Sequence, residues 1–239
     1  MPVPVPVPVP VPAPAPTTID EVIARMQSID AALPASDGVA CFNRMYLEVT
    51  QGVGRLVTQG SFADPAFVSR LDVVFANLYL AAVDALSGPP SDAPVAWRPL
   101  LEARGTPGIE PIQFALAGMN AHINHDLPLA VVRTCAELST EPNAGSHHDD
   151  YQKVDALLDA SEQSVRESFE PKDVVVIDRH VAAVANVVGN WSINVARDVA
   201  WDTAVALWEV RDHQLATRLL TGALAHTVAM ASRGLLVVV

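Results

Sequence analysis

Apolar positions recur along most of this chain at spacings of three and four, the period of an amphipathic α-helix. Phe42, Met45, Val49, Val53 and Leu56 form one stripe and predict a helix from about Gly38 to Gln59. Val68, Leu71, Val74, Phe75, Leu78, Tyr79 and Ala82 form another and predict a helix over about 65–86. Start signals agree with the stripes. Thr18 and Glu21 have the capping-box spacing ahead of a helix over 19–32. Asp64-Pro65 sets a capping acid before a proline at the first helical position. Pro34 and Gly88-Pro89-Pro90 stop the first and third helices. Further helices are expected over about 111–138, 151–169 (capped by Asp149 or Asp150), 174–209 and 212–233. The loop over 87–108 carries a helical turn near Trp97–Arg104. Strand-like alternation is scarce, and Val174–Ile177 is too short to build a sheet. The pattern reads as an all-α, single-domain helical bundle of about six to seven helices over 18–239.

Residues 1–16 break the pattern. Proline stands at every even position, which fixes φ and removes donors, so neither helix nor central strand can form. An extended polyproline tail, disordered through residue 17, is expected there. It lacks the basic start and apolar helical run of a signal peptide.

Composition narrows the classes. Lys and Arg total 15, Asp and Glu 27, and the net charge is −12 over 239 residues, half of them apolar. That is ample for a buried core. The acidic balance argues against nucleic acid and against anionic lipid. No uninterrupted apolar run approaches the roughly 20 residues of a membrane span. Two cysteines, Cys41 and Cys135, without a C-x-x-C pair, suggest reduced thiols in a cytoplasmic protein. No G-x-S-x-G elbow, Walker loop, G-x-G-x-x-G or H-E-x-x-H is present.

The unusual chemistry lies in residues 118–128. On a helix His122 and Asp126 are four apart and share a face, as do Asn120 and Asn124. Pro128 offers no N–H to the carbonyl of Asn124 and its ring presses on it, so the central helix is expected to kink beside this polar cluster. A His/Asp pair so spaced is half a metal site, and His148 from the segment Ser146–Asp150 could supply a third ligand. Equally, Asp126 could simply orient a neutral His122, while the acids of 146–150 cap a helix. A third cluster holds Asn190, Trp191, Asn194, Arg197, Asp198, Trp201, Asp202 and Trp208. Aromatics beside Arg and Asp can line a pocket or flank a core, and Asp198 and Asp202 could add ligands. Glu48 and Asp72 interrupt apolar helices and are surface positions by default. No Glu-x-x-His pair marks a di-metal bundle.

Several of these residues carry a resemblance. Phe42-Asn43-Arg44-Met45-Tyr46-Leu47, the segment Phe67–Ala76, the long motif Gln113–Asn124, Asp126-Leu127-Pro128, Ala196-Arg197-Asp198 with Trp201, and Arg233-Gly234-Leu235-Leu236 occur in this order. Over about 40–236 the chain resembles the bacterial family known as domain of unknown function 5995. The resemblance implies one all-helical domain. It also implies that His122, Asn124, Asp126, a His after the polar loop and Arg197-Asp198 belong to a shared pattern, with no activity attached. His125 departs from that pattern, and no role is carried onto it.

Three functions compete on these grounds. The first is a metal-dependent enzyme with one divalent ion held by His122, Asp126 and His148. The second is a metal-free acid–base isomerase or cyclase of a hydrophobic metabolite, in which Asp126 tunes His122 and Arg197 or Asn124 stabilises an oxyanion. The third is a non-catalytic bundle that binds a ligand or partner. Tyr46, Asn120, Asn194 and Trp201 are candidate substrate contacts. The expected partner is a small hydrophobic molecule, with a homodimer left open.

Overall fold

The computed structural model describes residues 9–158 and 192–238, and among them every regular element is helical. The elements are α1 (Ile19–Ala32), α2 (Gly38–Thr58), α3 (Pro65–Asp84), the short α4 (Arg98–Ala103), α5 (Pro111–Ala121), α6 (Leu127–Glu137), the short α7 (His147–Gln152), α8 (Ile193–Glu209) and α9 (Gln214–Leu235). The readings of 159–169, Val174–Ile177 and the start of the 174–209 helix, with Asn190 and Trp191, lie outside the described residues.

Between α5 and α6 the helix does not break. It passes through one π-helical turn, His122–Asp126. The N–H of Leu127 donates to the carbonyl of His122, five residues back. This π turn stands where the kink is expected, just ahead of Pro128. Pro128 falls in the first turn of α6, where its missing N–H is not needed. A π turn inserted in an α-helix often re-aims side chains at functional sites. The composite helix α5–α6 is the axis of the fold. α2 and α9 pack on α5, while α3 and α8 pack on α6.

Local chemistry fastens the elements. Thr18 caps α1 by accepting from the N–H of Glu21 at 3.2 Å. The Glu21 carboxylate reaches Thr17, at 2.7 Å to its N–H and 2.8 Å to its hydroxyl. The proline segment is tied down at its end: Asn77 of α3 donates to the buried Pro16 carbonyl at 2.9 Å. Asp37 caps α2 through Val39 and takes Arg104 in a buried ion pair at 2.6 Å. Gln113 donates to the carbonyls of Leu235 and Val237, at 2.7 and 2.9 Å, and so anchors the end of α9 to α5.

Asp150 does not cap the fifth predicted helix. Ser146 stands at the cap of α7. The Asp150 carboxylate instead accepts from the N–H groups of Ala63 and Asp64, at 2.9 and 2.7 Å, and from Lys153 at 2.8 Å. Burial alone would raise this acid. The bonds outweigh it and hold the pKa near about 2. Both cysteines are free, and burial pushes the Cys135 thiol up to about 12. Pro65–Ser87 is long and apolar enough, by length and composition, to cross a membrane, which apolar runs alone did not suggest. Of its most apolar stretch, 61% is buried within the fold.

Candidate active site around His122

The π turn presents His122 and Asp126 together in the interior. Both are almost fully buried, at 2% and 1% exposure. His122 Nδ1 lies 3.2 Å from Asp126 Oδ2. The indole N–H of Trp97 donates to that same oxygen at 2.8 Å. His125 Nδ1 meets the other oxygen, Oδ1, at 2.7 Å. Burial would raise the Asp126 pKa, but the bonds from His122 and His125 prevail and hold it below the usual carboxylate value. Asp126 is therefore an ionised acceptor, and Nδ1 of His122 carries the proton that bonds to it. For His122, burial outweighs the pull of Asp126 and lowers the imidazole below its ordinary value. A neutral ring with its proton on Nδ1 leaves a bare lone pair on Nε2. That atom is buried with no hydrogen-bond partner among the described residues.

Aromatic rings hold the imidazole in place. Phe75 lies parallel to it, centroids 3.5 Å apart and planes 5° apart. Tyr46 meets it edge-on at 4.3 Å, and Phe42 at 5.6 Å. The ring borders an apolar cavity of about 90 Å³, walled by residues such as Met45, Val49, Leu71, Ile123, Leu127 and Val154. This is room for several water-sized groups, since one water needs about 10–15 Å³.

Three buried polar atoms around this cavity lack a partner among the described residues: the Tyr46 hydroxyl, Asp72 Oδ2 and His122 Nε2. Each orphaned group costs about 1–3 kcal/mol when nothing satisfies it. Burial pushes Asp72 up to about 7 and Tyr46 well above its ordinary value, so the Tyr46 hydroxyl keeps its proton.

The structure brings some expected residues here and disperses others. Tyr46 lines the cavity, as does Arg197. Arg197, however, is engaged with Asp155 at 2.7 Å and with the Tyr151 carbonyl at 2.6 Å, and its guanidinium covers the Tyr151 ring at 3.9 Å. It is a clamp between α8 and the chain after α7 rather than an open oxyanion donor. Asn124 donates to Asn120 at 2.9 Å, and Asn120 donates to the Val228 carbonyl and the Ser232 hydroxyl of α9 at 3.0 and 2.9 Å. These two amides hold helices together and are not among the cavity walls. Trp201 is buried and donates to Asn143 at 3.2 Å. Asn194 is half-buried beside Ile193, which lines the cavity while Asn194 does not.

The three-ligand metal centre is not assembled. His148 lies tilted against Trp201, 4.9 Å between centroids, and among the described residues no three His, Cys, Asp or Glu side chains converge on one point. The cause is local: Asp150 ties its turn to residues 63–64, which fixes the direction of α7. Both Asp126 oxygens are already occupied by N–H donors. Asp198 and Asp202 are exposed, and so is Glu48.

Three contributors escaped the sequence reading. Asp72, expected at the surface, is 9% exposed and faces the cavity. Trp97 supplies a donor to Asp126 from a loop 29 residues away. His125 supplies another. An acid inside the apolar stripe of α3 was the one available signal for Asp72; Trp97 left none.

A model of the family of unknown function DUF5995 matches residues 19–238. No curated protein and no solved structure matches the chain.

Proposed function

Since the chain belongs to the DUF5995 family, described as of unknown function, we propose its role from the cavity itself: acid–base catalysis on a small hydrophobic molecule, with His122 as the group that moves the proton. The observation that carries this reading is the state of one ring. His122 is fixed at Nδ1 by Asp126 and has a bare, unpartnered Nε2 at the edge of an apolar cavity.

An imidazole so held is a general base, and after protonation a general acid. Asp126 would stabilise the imidazolium that forms, without accepting its proton. The Tyr46 hydroxyl, protonated and without a partner, can donate to an oxygen on which negative charge builds. The apolar walls exclude water and strengthen both interactions. Removal of a proton at one carbon and its return at another is the simplest use of this set. Isomerisation or ring closure of a hydrophobic metabolite fits it, and no second substrate is required.

Butanone in heavy water, a probe small enough for a cavity of about 90 Å³, tests the base directly. Removal of a proton next to its carbonyl gives the enolate, and return of a deuteron from solvent-exchanged His122 is read by proton NMR. The wild type should accelerate this exchange with saturation, and His122→Gln should lose about a hundredfold or more of that rate. Equal rates in the two proteins would contradict the reading.

A further inference from the structure

The unsatisfied atoms of the cavity constrain the molecule that fills it. Two of the three are acceptors at about pH 8: Asp72 Oδ2, mostly ionised there, and His122 Nε2 in the tautomer that Asp126 imposes. The third, the Tyr46 hydroxyl, can donate or accept. A complementary ligand must therefore bring hydrogen-bond donors, and more than one.

Charge points the same way. Asp72 stands without a cationic partner among the described residues, and its charge acts on Tyr46. The cation in the described wall, Arg197, is engaged with Asp155 and the Tyr151 carbonyl. Asp150, also in the wall, is saturated by Lys153 and two backbone N–H groups. An acid ligand would bring acceptors to acceptors and a negative charge to Asp72. The aromatic surroundings add a third argument. Phe75, one helical turn beyond Asp72, and Tyr46 lie 5.8 Å apart between centroids and share the cavity wall. Their π faces attract a cation.

We infer that the cavity takes a small apolar primary amine, bound as its ammonium ion, with Asp72 as the counter-charge and the Tyr46 hydroxyl as a second acceptor, while His122 Nε2 stays open to the carbon it deprotonates. An ammonium carries three N–H donors, enough for Asp72 Oδ2 and the Tyr46 hydroxyl, and the rest of the molecule meets apolar walls and the His122 ring. This rests on the cavity being the binding place of a small hydrophobic molecule, and it names the class. Asp72 is here a specificity-determining residue, distinct from the base.

Calorimetric titration at about pH 8, where Asp72 is mostly ionised and an amine is still protonated, tests it with three probes of similar shape. These are propylamine, propanol and propionate, small enough for a cavity of about 90 Å³. The wild type should bind the amine at least about tenfold tighter than the alcohol, the step one charged hydrogen bond supplies, and should reject the acid. Asp72→Asn should erase the preference for the amine while still binding the alcohol, which shows that the cavity persists. The inference is overturned if the amine binds no tighter than the alcohol, if the acid binds best, if none binds, or if Asp72→Asn keeps the preference. The turnover test with His122→Gln leaves Asp72 in place, so failure of the amine inference and failure of the base reading are read separately.

Discussion

The indole N–H of Trp97 donates to Asp126 Oδ2 at 2.8 Å, the same oxygen that meets His122 Nδ1. A loop tryptophan and a helical histidine thus share one carboxylate atom in a fully buried setting. With His125 on the other oxygen, Asp126 accepts from three ring donors. The arrangement keeps the acid ionised where burial would otherwise protonate it, and an ionised Asp126 fixes the tautomer of His122.

Trp97→Phe keeps most of the apolar volume and deletes one donor. Unfolding in urea should show a loss of about 1–3 kcal/mol, the cost of leaving a buried acceptor short. Asp126 would also become less acidic. A variant as stable as the wild type would mean that this bond holds nothing.

Asp126→Asn removes the charge and keeps the shape. The carboxamide no longer forces the proton onto Nδ1, and it offers no charge to an imidazolium. Turnover of the butanone probe should fall by about a hundredfold or more, with helical circular dichroism unchanged. Wild-type turnover in this variant would remove Asp126 from the mechanism.

Asp72 makes a prediction about pH. Its folded pKa, about 7, lies above the ordinary carboxylate value of 3.8. For a group raised on folding, the unfolded chain loses its proton first. Stability then falls as pH climbs from about 4 to about 7 and is level above that. Asp72→Asn should therefore melt higher than the wild type at about pH 8, and the gap should close at about pH 4. A gap that is constant with pH, or absent, would show that Asp72 is not desolvated.

Asn120 separates scaffold from chemistry. Its amide joins α5 to α9 through Val228 and Ser232 and receives Asn124. Asn120→Ala should lower stability by about 1–3 kcal/mol, since it leaves these groups short. Turnover of the probe by the folded fraction should stay within about twofold, because no atom of Asn120 borders the cavity. A large loss of turnover at full stability would return Asn120 to the list of substrate contacts.

Much of the fold was legible because its signals are local. The stripe from Phe42 to Leu56 predicts α2 within a residue of its observed bounds. The His122 and Asp126 pair was legible for the same reason, being one turn apart on one helix. What the sequence did not carry are contacts made by the chain returning on itself. Trp97 reaches Asp126 across 29 positions. The direction of His148 follows from Asp150 bonding residues 63–64, some 87 positions earlier. An acid within an apolar stripe reads equally as an exposed break or as a buried charge, and only packing of α3 against the rest decides for Asp72. Pro128 marks a disturbance at this point of the helix without dictating its form, which is a π turn.

Nitrogen-detected NMR of His122, assigned by comparison with His122→Gln, tests the central claim most directly. At about pH 7 the account predicts a neutral ring, protonated at Nδ1 and bare at Nε2, whose Nε2 signal moves when propylamine is added. A proton on Nε2, or an imidazolium at that pH, would contradict it.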